Sequence, residues 1–338
     1  MRKLIQTAAV AAVSLWATTW ATTASAETVL TVSTWAGPNH NMNATTFPRI
    51  HDMLQKCSGG DLGLKIEYGL APPPAQYDTV RDGVADMTWI VHGYTPGKFV
   101  TTKLAELPGI PGNAEQISVA FQMTHEKYLA AAGEAKGVEV LTNFVHGPGL
   151  LNTVNALDDG YRSIKGMKLR IGGGVANMIG TALEVAGVNV PAPAVYETIS
   201  SGVAEGVFFP AETLFAFKTA ELTKYSYVNP DGMYTTSFAL ILNGDTYNDL
   251  SAAHRKCIDD MRGVEMARWV GRVWDEADDF GRGKAVADNG LNVIEMNADQ
   301  RAYYKDKTSG IEAAVVKEVS DRGVDGAAAL AYLKSQIK

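Results

Sequence analysis

Apolar residues along the chain form short strand-like runs that alternate with segments of helical periodicity. The runs predict strands at residues 28–34, 62–68, 85–91, 138–144, 167–171, 203–208 and 237–242. The segments between them predict helices at residues 45–55, 76–81, 114–132, 175–186 and 196–201. Because strands and helices alternate, we expect an α/β fold with mostly parallel sheets covered by helices.

The C-terminal part of the chain keeps a helical pattern almost throughout. One helical segment covers about 38 residues, 251–288, and a continuous helix of that length would measure about 57 Å. A helix longer than one small domain is wide should cross between two domains. Glycines inside this segment predict a kink or a break; they are Gly263, Gly271, Gly281 and Gly283. Two more helices are predicted at residues 298–319 and 327–337.

The length of 338 residues corresponds to about two domains of roughly 150 residues each. The sequence contains no internal repeat, low-complexity segment or interior linker. We therefore expect two domains that are interwoven by several crossings of the chain.

The charge balance narrows the choice of partners. Lys and Arg number 30 against 37 Asp and Glu, so the net charge is -7, and the pI is about 5.4. A protein that binds nucleic acid needs a basic surface to meet the phosphates. We expect no nucleic-acid partner, and we expect a monomer.

The N-terminus has the features of a secretory signal peptide. Arg2 and Lys3 precede an apolar run over residues 4–20, and small residues at Ala24 and Ala26 frame a cleavage site. The alternative is a retained membrane anchor, but polar residues interrupt the run, and an anchor needs about 20 strongly apolar residues. We expect residues 1–26 to be removed, leaving a periplasmic or secreted protein that begins near Glu27.

An oxidising compartment gives the two cysteines a possible structural role. Cys57 and Cys257 form no CxxC or Cys/His cluster that would bind a metal. A disulfide between them would close a loop of 200 residues. The alternative is two unrelated buried thiols, and the sequence leaves the choice open.

The usual catalytic motifs are missing from the sequence. It contains no GxSxG elbow, HExxH pair or Walker loop, and no GxGxxG that opens a βαβ unit. The six histidines are scattered without metal-ligand spacing. We therefore expect no enzyme activity, no cofactor and no metal site.

Arg170 ends the predicted strand 167–171. Ligands of open α/β sheets bind at the carboxyl ends of the strands, where a guanidinium can hold a carboxylate with a planar pair of donors. An arginine in this position is also commonly part of a structural ion pair. The residue alone does not decide between a ligand contact and an ion pair.

Several short motifs together resemble the solute-binding proteins of TRAP transporters. Their order and spacing match that family over nearly the whole chain from residue 28 onward. The motifs are Ser58-Gly59-Gly60, the block from Arg81 to Asp86, the loop Tyr94-Thr95-Pro96-Gly97-Lys98-Phe99, the carboxylate-binding segment from Gly166 to Ile171, the stretch from Val195 to Gly206, and Leu242-Asn243.

The resemblance implies a two-domain periplasmic-binding-protein fold of the type II kind, with a hinge, a central cleft and a long helix that crosses both domains. The first domain would comprise residues 27–147 and about 236–270, and the second residues 148–235 and about 271–338. The protein would bind a small organic carboxylate and deliver it to the small and large membrane subunits of a TRAP permease. The alternative is a periplasmic sensor of the same fold that is not coupled to transport.

The resemblance also implies which side chains meet the ligand. Arg170 would bind its carboxylate, and aromatic side chains at strand ends would line the cleft; these are Trp35, Trp89 and Phe209. Candidate hydrogen-bond partners are Asn39, Asn152 and Tyr234. Each of these could instead be an ordinary core or loop residue.

Departures from the family pattern point to the kind of acid. Phe209 stands where many members have an asparagine, and the second arginine of sialate-binding members is missing near residues 146–152. A sugar acid would leave its hydroxyls without partners in such a cleft. We therefore expect a monocarboxylate with an apolar or aromatic body, with Asn152 available to an α-keto or α-hydroxy group.

Overall fold

The computed structural model describes residues 27–338, and the predicted signal peptide at residues 1–26 lies outside them. Two β-sheets form the framework of this part of the chain. The first sheet has the strand order β2-β1-β3-β10-β4, and the second has the order β11-β9-β5-β8-β6-β7. The strands of the first sheet are β1 (Thr28–Thr34), β2 (Leu62–Tyr68), β3 (Met87–Val91), β4 (Val138–Val145) and β10 (Ser237–Asn243). Those of the second sheet are β5 (Leu150–Thr153), β6 (Lys168–Ile171), β7 (Ala186–Asn189), β8 (Gly206–Phe209), β9 (Tyr225–Val228) and β11 (Asn292–Glu295).

Helices cover both sheets. They are α1 (Phe47–Ser58), α2 (Gln76–Arg81), α3 (Ala114–Thr124), α4 (Gly174–Ala182), α5 (Val195–Ser200), α6 (Thr213–Ala216), α7 (Gly244–Asp249), α8 (Ala252–Asp259), α9 (Val264–Asn289), α10 (Ala298–Thr308), α11 (Ile311–Ser320) and α12 (Gly326–Gln336). Among the described residues, no helix combines the length and apolar character needed to cross a membrane.

Each sheet is mixed but contains a single reversed strand, so the expectation of mostly parallel sheets is confirmed. In the first sheet β10 runs antiparallel to both β3 and β4. In the second sheet β5 runs antiparallel to β8 and β9. Each of these strands follows a crossing of the chain from one sheet to the other, and it enters its sheet from the opposite end. The crossings reverse strand direction, which a local sequence pattern does not record.

The predicted helix over residues 251–288 is divided into α8 and α9. Gly263 separates them with a φ of 84°, in the left-handed region that glycine adopts without strain. Its backbone N–H donates to the carbonyl of Leu141 at 2.7 Å, which fixes the break to β4. The helical segment predicted at residues 298–319 is likewise divided into α10 and α11.

Helix α9 still joins the two parts of the molecule. It has 26 residues, which corresponds to about 39 Å, and it packs on α3 and β4 at one end and on α6 at the other. Two glycines permit these contacts. A Cβ at Gly271 would lie 2.6 Å from Cα of Glu115, and a Cβ at Gly281 would lie 2.5 Å from the carbonyl oxygen of Ala211. Gly271 and Gly281, which also suggested a break, therefore serve close packing.

The hydrophobic core is divided between the two sheets. One cluster joins β1, β3 and β10 to α1 and α9. A second cluster joins β5, β6 and β8 to α3, α4 and the C-terminal helices, and α12 packs directly on α3. The C-terminal helices, assigned to the second predicted domain, thus contact α3, which belongs to the first. The boundary between the two domains therefore stays a prediction.

The structure places Cys57 of α1 and Cys257 of α8 in a disulfide bond. The two helices pack against each other beside the first sheet. The bond connects parts of the chain that are 200 residues apart in sequence.

Candidate functional site

A cavity lies where the two sheets face each other. Strand ends and loops of the first sheet contribute Trp35, Trp89 and Phe238 to its wall, and those of the second sheet contribute Arg170 and Phe209. The cavity has a volume of about 30 Å³, which holds about two water molecules. A larger ligand must therefore displace wall side chains or separate the two sheets.

Arg170 is the positively charged residue of this wall and is 1% exposed. It lies in β6, and its guanidinium is held by two hydrogen bonds. Nε donates to the carbonyl of Val190 at 2.9 Å, and Nη2 donates to the hydroxyl of Tyr94 at 3.1 Å. The guanidinium carbon lies 4.3 Å from the ring centroid of Phe209, a cation–π contact.

The guanidinium keeps donors for a ligand. Arginine has five N–H donors, and two of them are used by Val190 and Tyr94, so three remain. Arg170 forms no ion pair with a carboxylate among residues 27–338. A buried charge without a partner is costly. The arrangement therefore suits an anion that enters the cavity.

Aromatic rings form most of the remaining wall. Trp35 stacks on Trp89 with centroids 4.1 Å apart, and Phe209 stacks on Phe217 with centroids 5.7 Å apart. Trp35 also stacks on Phe217 at 6.5 Å. Trp35 and Trp89 meet because β1 and β3 are parallel neighbours, so their carboxyl ends lie at one edge of the sheet. Flat apolar walls of this kind suit an aromatic ligand.

Two histidines in the wall are neutral because burial lowers the pKa of His40 to about 3 and that of His146 to about 4. His40 accepts the backbone N–H of Met42 at Nδ1, so its proton is on Nε2. His146 accepts the N–H of Thr236 at Nε2 and donates from Nδ1 to the carbonyl of Gly147. Neither histidine adds positive charge to the cavity.

A buried carboxyl group connects the two sheets beside the cavity. Glu106 accepts from the backbone N–H of Val175 at 2.9 Å, and from the backbone N–H and the hydroxyl of Ser237 at 3.1 and 2.6 Å. Val175 belongs to α4, which follows Arg170, and Ser237 begins β10. Burial raises the pKa of Glu106, which the hydrogen bonds partly oppose. This residue positions the Arg170 segment against the first sheet.

Four of the predicted side chains besides Arg170 line the cavity: Trp35, Trp89, Phe209 and Tyr234. Tyr234 is buried, and its ring packs edge-on against His146 at 5.6 Å. Burial raises the pKa of Tyr234, so its hydroxyl is neutral and can donate a hydrogen bond.

Two predicted residues do not reach the cavity. Asn39 is exposed and borders a separate surface depression, while its neighbour His40 turns inward. Asn152 is buried between β8 and β9, and its amide donates to the carbonyl of Phe209 at 3.4 Å. Asn152 does not line this cavity, and its contact with an α-keto or α-hydroxy group stays a prediction. The loop conformation turns Asn39 outward, and the pairing of β5 with β8 and β9 buries Asn152 within the sheet.

Other lining residues were missed by the sequence analysis. They include Tyr94, His40, His146, Phe217, Glu212 and Trp274. Tyr94 could have been found because it begins the family loop that the sequence contains. Trp274 and Glu212 carry no local signal, because only the packing of α9 against α6 brings them together. Among residues 27–338, no group of three or more His, Cys, Asp or Glu is arranged to hold a metal ion.

Residues 32–318 match the family model of the bacterial extracellular solute-binding proteins, family 7. The chain is also 28% identical over 271 residues to TsaT of Comamonas testosteroni, described as an outer membrane transporter protein, and the match covers 79% of each chain.

Solved structures of similar proteins cover nearly the whole chain. A TRAP periplasmic solute-binding protein of Bordetella bronchiseptica with bound (R)- and (S)-mandelate is 33% identical, covers 92% of this chain and 98% of its own, and has a TM-score of 0.88. A marine metagenome TRAP solute-binding protein in complex with 3-hydroxybenzoate is 33% identical, with coverage of 93% and 98% and a TM-score of 0.87. A TRAP solute-binding protein of Rhodoferax ferrireducens with copurified benzoate is 30% identical, with coverage of 92% and 97% and a TM-score of 0.86.

Proposed function

The chain belongs to the bacterial extracellular solute-binding proteins of family 7 and has the two-domain fold of TRAP solute-binding proteins, and from that premise we propose that it binds an aromatic monocarboxylate between its two sheets. The family and the fold agree with the resemblance found in the sequence motifs. The proteins it resembles bind ligands for transport.

One observation carries the proposed ligand charge. Arg170 is fully buried in the cavity wall, keeps three N–H donors and has no carboxylate partner among the described residues. A carboxylate on the ligand supplies the missing charge and accepts two of these donors side by side. The bond to Val190 and the ring of Phe209 hold the guanidinium in place for this contact.

The aromatic part of the proposal rests on the walls of the cavity. Stacked rings on both sides offer apolar surface, with Trp35 and Trp89 from the first sheet and Phe209 and Phe217 from the second. An aromatic body gains about 25 cal/mol for each Å² that it buries there. The related proteins crystallised with mandelate, 3-hydroxybenzoate and benzoate support the same ligand class.

The cellular role follows from the family. We propose that the signal peptide directs the chain to the periplasm, where it acts as a monomer and delivers its ligand to a TRAP permease with small and large membrane subunits. The two parts, residues 27–147 with 236–270 and residues 148–235 with 271–338, would separate at the crossings to admit the ligand and then close. A sensor that is not coupled to transport is the alternative, and no observation favours it.

A thermal-shift screen tests the proposed ligand class. Benzoate, phenylacetate and mandelate are compared with galactonate and glucuronate at equal concentration. A ligand at 100 times its dissociation constant stabilises the fold by about 2.7 kcal/mol, so the aromatic acids should raise the melting temperature and the sugar acids should not. A rise with sugar acids alone would contradict the proposal.

A further inference from the structure

Two polar side chains in the cavity wall contain an atom without a hydrogen-bond partner among residues 27–338. Glu212 is 4% exposed, and its Oε2 is buried and unpaired. Trp274 is 1% exposed, and its Nε1 is buried and unpaired. Both residues line the same cavity as Arg170. Buried polar groups are almost always paired, so these two atoms indicate a partner that the ligand supplies.

Helix α9 and the start of α6 bring the two side chains together. Trp274 and Asp278 lie four residues apart on α9 and so share one face of the helix. Asp278 accepts the backbone N–H of Glu212 at 2.7 Å. This bond fixes the backbone of Glu212 beside the helix and leaves its carboxyl group free.

Trp274 and Arg170 reach the cavity wall from different elements of the fold. Trp274 packs on Phe238 of the first sheet, with centroids 5.0 Å apart. Arg170 belongs to the second sheet and forms no ion pair with Glu212. The cavity wall therefore carries one cationic group in the second sheet and two polar groups without positive charge on other elements.

The hydrogen-bonding capacity of Glu212 and Trp274 limits which ligand group can contact both side chains. Burial, and then the neighbouring charge of Asp278, raises the pKa of Glu212 well above its ordinary value. A carboxyl group accepts hydrogen bonds in either protonation state and also donates one when it is protonated, whereas the indole N–H of Trp274 only donates. A hydroxyl can accept from Trp274 and exchange a hydrogen bond with Glu212. An ammonium cannot accept from Trp274.

We propose that Glu212 and Trp274 select a hydroxyl group on the ligand, so that the preferred ligands are aromatic monocarboxylates with a ring or side-chain hydroxyl. The inference rests on the proposed function and adds the chemistry of the substituent. Arg170 binds the carboxylate, and the α9 face distinguishes the hydroxylated acid from its unsubstituted analogue.

Calorimetric titration with matched acids tests the inference. Benzoate is compared with 3- and 4-hydroxybenzoate and with mandelate, and 3-methylbenzoate controls for ring substitution without a hydroxyl. The wild-type protein should prefer at least one hydroxylated acid over its unsubstituted analogue by about tenfold or more. Glu212→Leu and Trp274→Phe should each reduce this ratio to about twofold or less. Glu212→Gln can still form hydrogen bonds and should retain most of the preference.

Trp269→Phe is the matched control, because Trp269 lies on the same helix outside the cavity. Melting curves establish that each variant is folded, and either Glu212→Leu or Trp274→Phe suffices if the other is not. A wild-type protein that binds benzoate as tightly as all the hydroxylated acids would overturn the inference, as would a preference that survives in the folded variants. A wild-type protein that binds none of these acids would instead contradict the proposed function.

Discussion

Nη2 of Arg170, in β6 of the second sheet, donates a hydrogen bond of 3.1 Å to the hydroxyl oxygen of Tyr94, in the turn after β3 of the first sheet. The same oxygen accepts the backbone N–H of Ala192 at 2.8 Å. Tyr94 follows β3, and Ala192 follows β7. The hydroxyl of Tyr94, beside the first sheet, thus accepts two hydrogen bonds from the side of the second sheet, and one of the donors is the proposed carboxylate-binding Arg170. Ligand binding at Arg170 is thereby linked to closure of the cavity.

Replacement of Tyr94 by phenylalanine tests this link. The variant keeps the ring but leaves the N–H groups of Arg170 and Ala192 without their acceptor, so the closed form should lose about 1–2 kcal/mol. We expect the dissociation constant for an aromatic acid, measured by calorimetry, to rise about five- to thirtyfold. Tyr68→Phe at an exposed site should leave the affinity unchanged. Equal affinities of Tyr94→Phe and wild type would disprove the link.

The disulfide between Cys57 and Cys257 should be a major contributor to stability. The disulfide joins residues 200 apart in sequence and so restricts the unfolded chain. From the range for native disulfides, we expect its removal to lower the free energy of unfolding by about 3–5 kcal/mol. Urea unfolding should show this loss for the double variant Cys57→Ser/Cys257→Ser. Dithiothreitol should destabilise the wild type and leave the double variant unaffected. Two titratable thiols in the denatured, unreduced protein would contradict the bond.

Asp278 should make stability depend on pH. Burial raises its pKa from 3.8 to about 7, while the hydrogen bond from Glu212 opposes the rise. Between these pH values the unfolded chain releases the proton and the folded chain keeps it, so this residue's contribution to stability falls as pH rises. The difference of about three units between the folded and unfolded pKa of Asp278 corresponds to about 4 kcal/mol in the free energy of unfolding.

Asp278→Asn removes this pH dependence and keeps an oxygen for the backbone N–H of Glu212. The melting temperature of the variant relative to wild type should therefore rise between pH 4.5 and pH 8. The control is Asp279→Asn, at the exposed neighbouring position. Parallel pH profiles for Asp278→Asn and wild type would show that the buried carboxyl group has no such effect.

Two glycines on α9 provide a matched test of helix packing. A Cβ at Gly271 would lie 2.6 Å from Cα of Glu115, whereas a Cβ at Gly283 would meet nothing within 4 Å. Gly271→Ala should destabilise the protein by about 1–3 kcal/mol because α3 must move. Gly283→Ala should stabilise it by up to about 1 kcal/mol through helix propensity. Chemical unfolding that gave the same change for both would refute the packing argument.

The sequence predicted the elements that have a strong local pattern. The strands at residues 28–34 and 62–68 are confirmed at their predicted bounds. Four strands were missed, namely β5, β7, β9 and β11, each of four residues. Such strands are too short for a period to be visible. Their pairing is decided by distant neighbours, as is the direction of β10.

The candidate site was predictable where a side chain follows a strand. Trp35 directly follows β1 and Arg170 lies near the end of β6, whereas Trp89 is the central residue of β3; the structure brings the three to one cavity. Position in the chain did not distinguish Asn39 from His40, because the turn of the loop decides which one faces inward. Glu212 and Trp274 are 62 residues apart in sequence, and the packing of α9 is what places both in the wall.

The central claim is that Arg170 holds the carboxylate of an aromatic acid, and calorimetric titration of benzoate into wild type, Arg170→Ala and Arg170→Lys tests it most directly. Truncating one partner of a buried charge pair costs about 2–4 kcal/mol, so Arg170→Ala should weaken binding by about 30- to 1000-fold. Arg170→Lys should not restore it, because an ammonium cannot replace the planar pair of donors. Arg268→Ala on the outer surface should bind as wild type does. Near wild-type affinity in folded Arg170→Ala, or a wild-type protein that binds neither benzoate nor its hydroxylated analogues, would contradict the account.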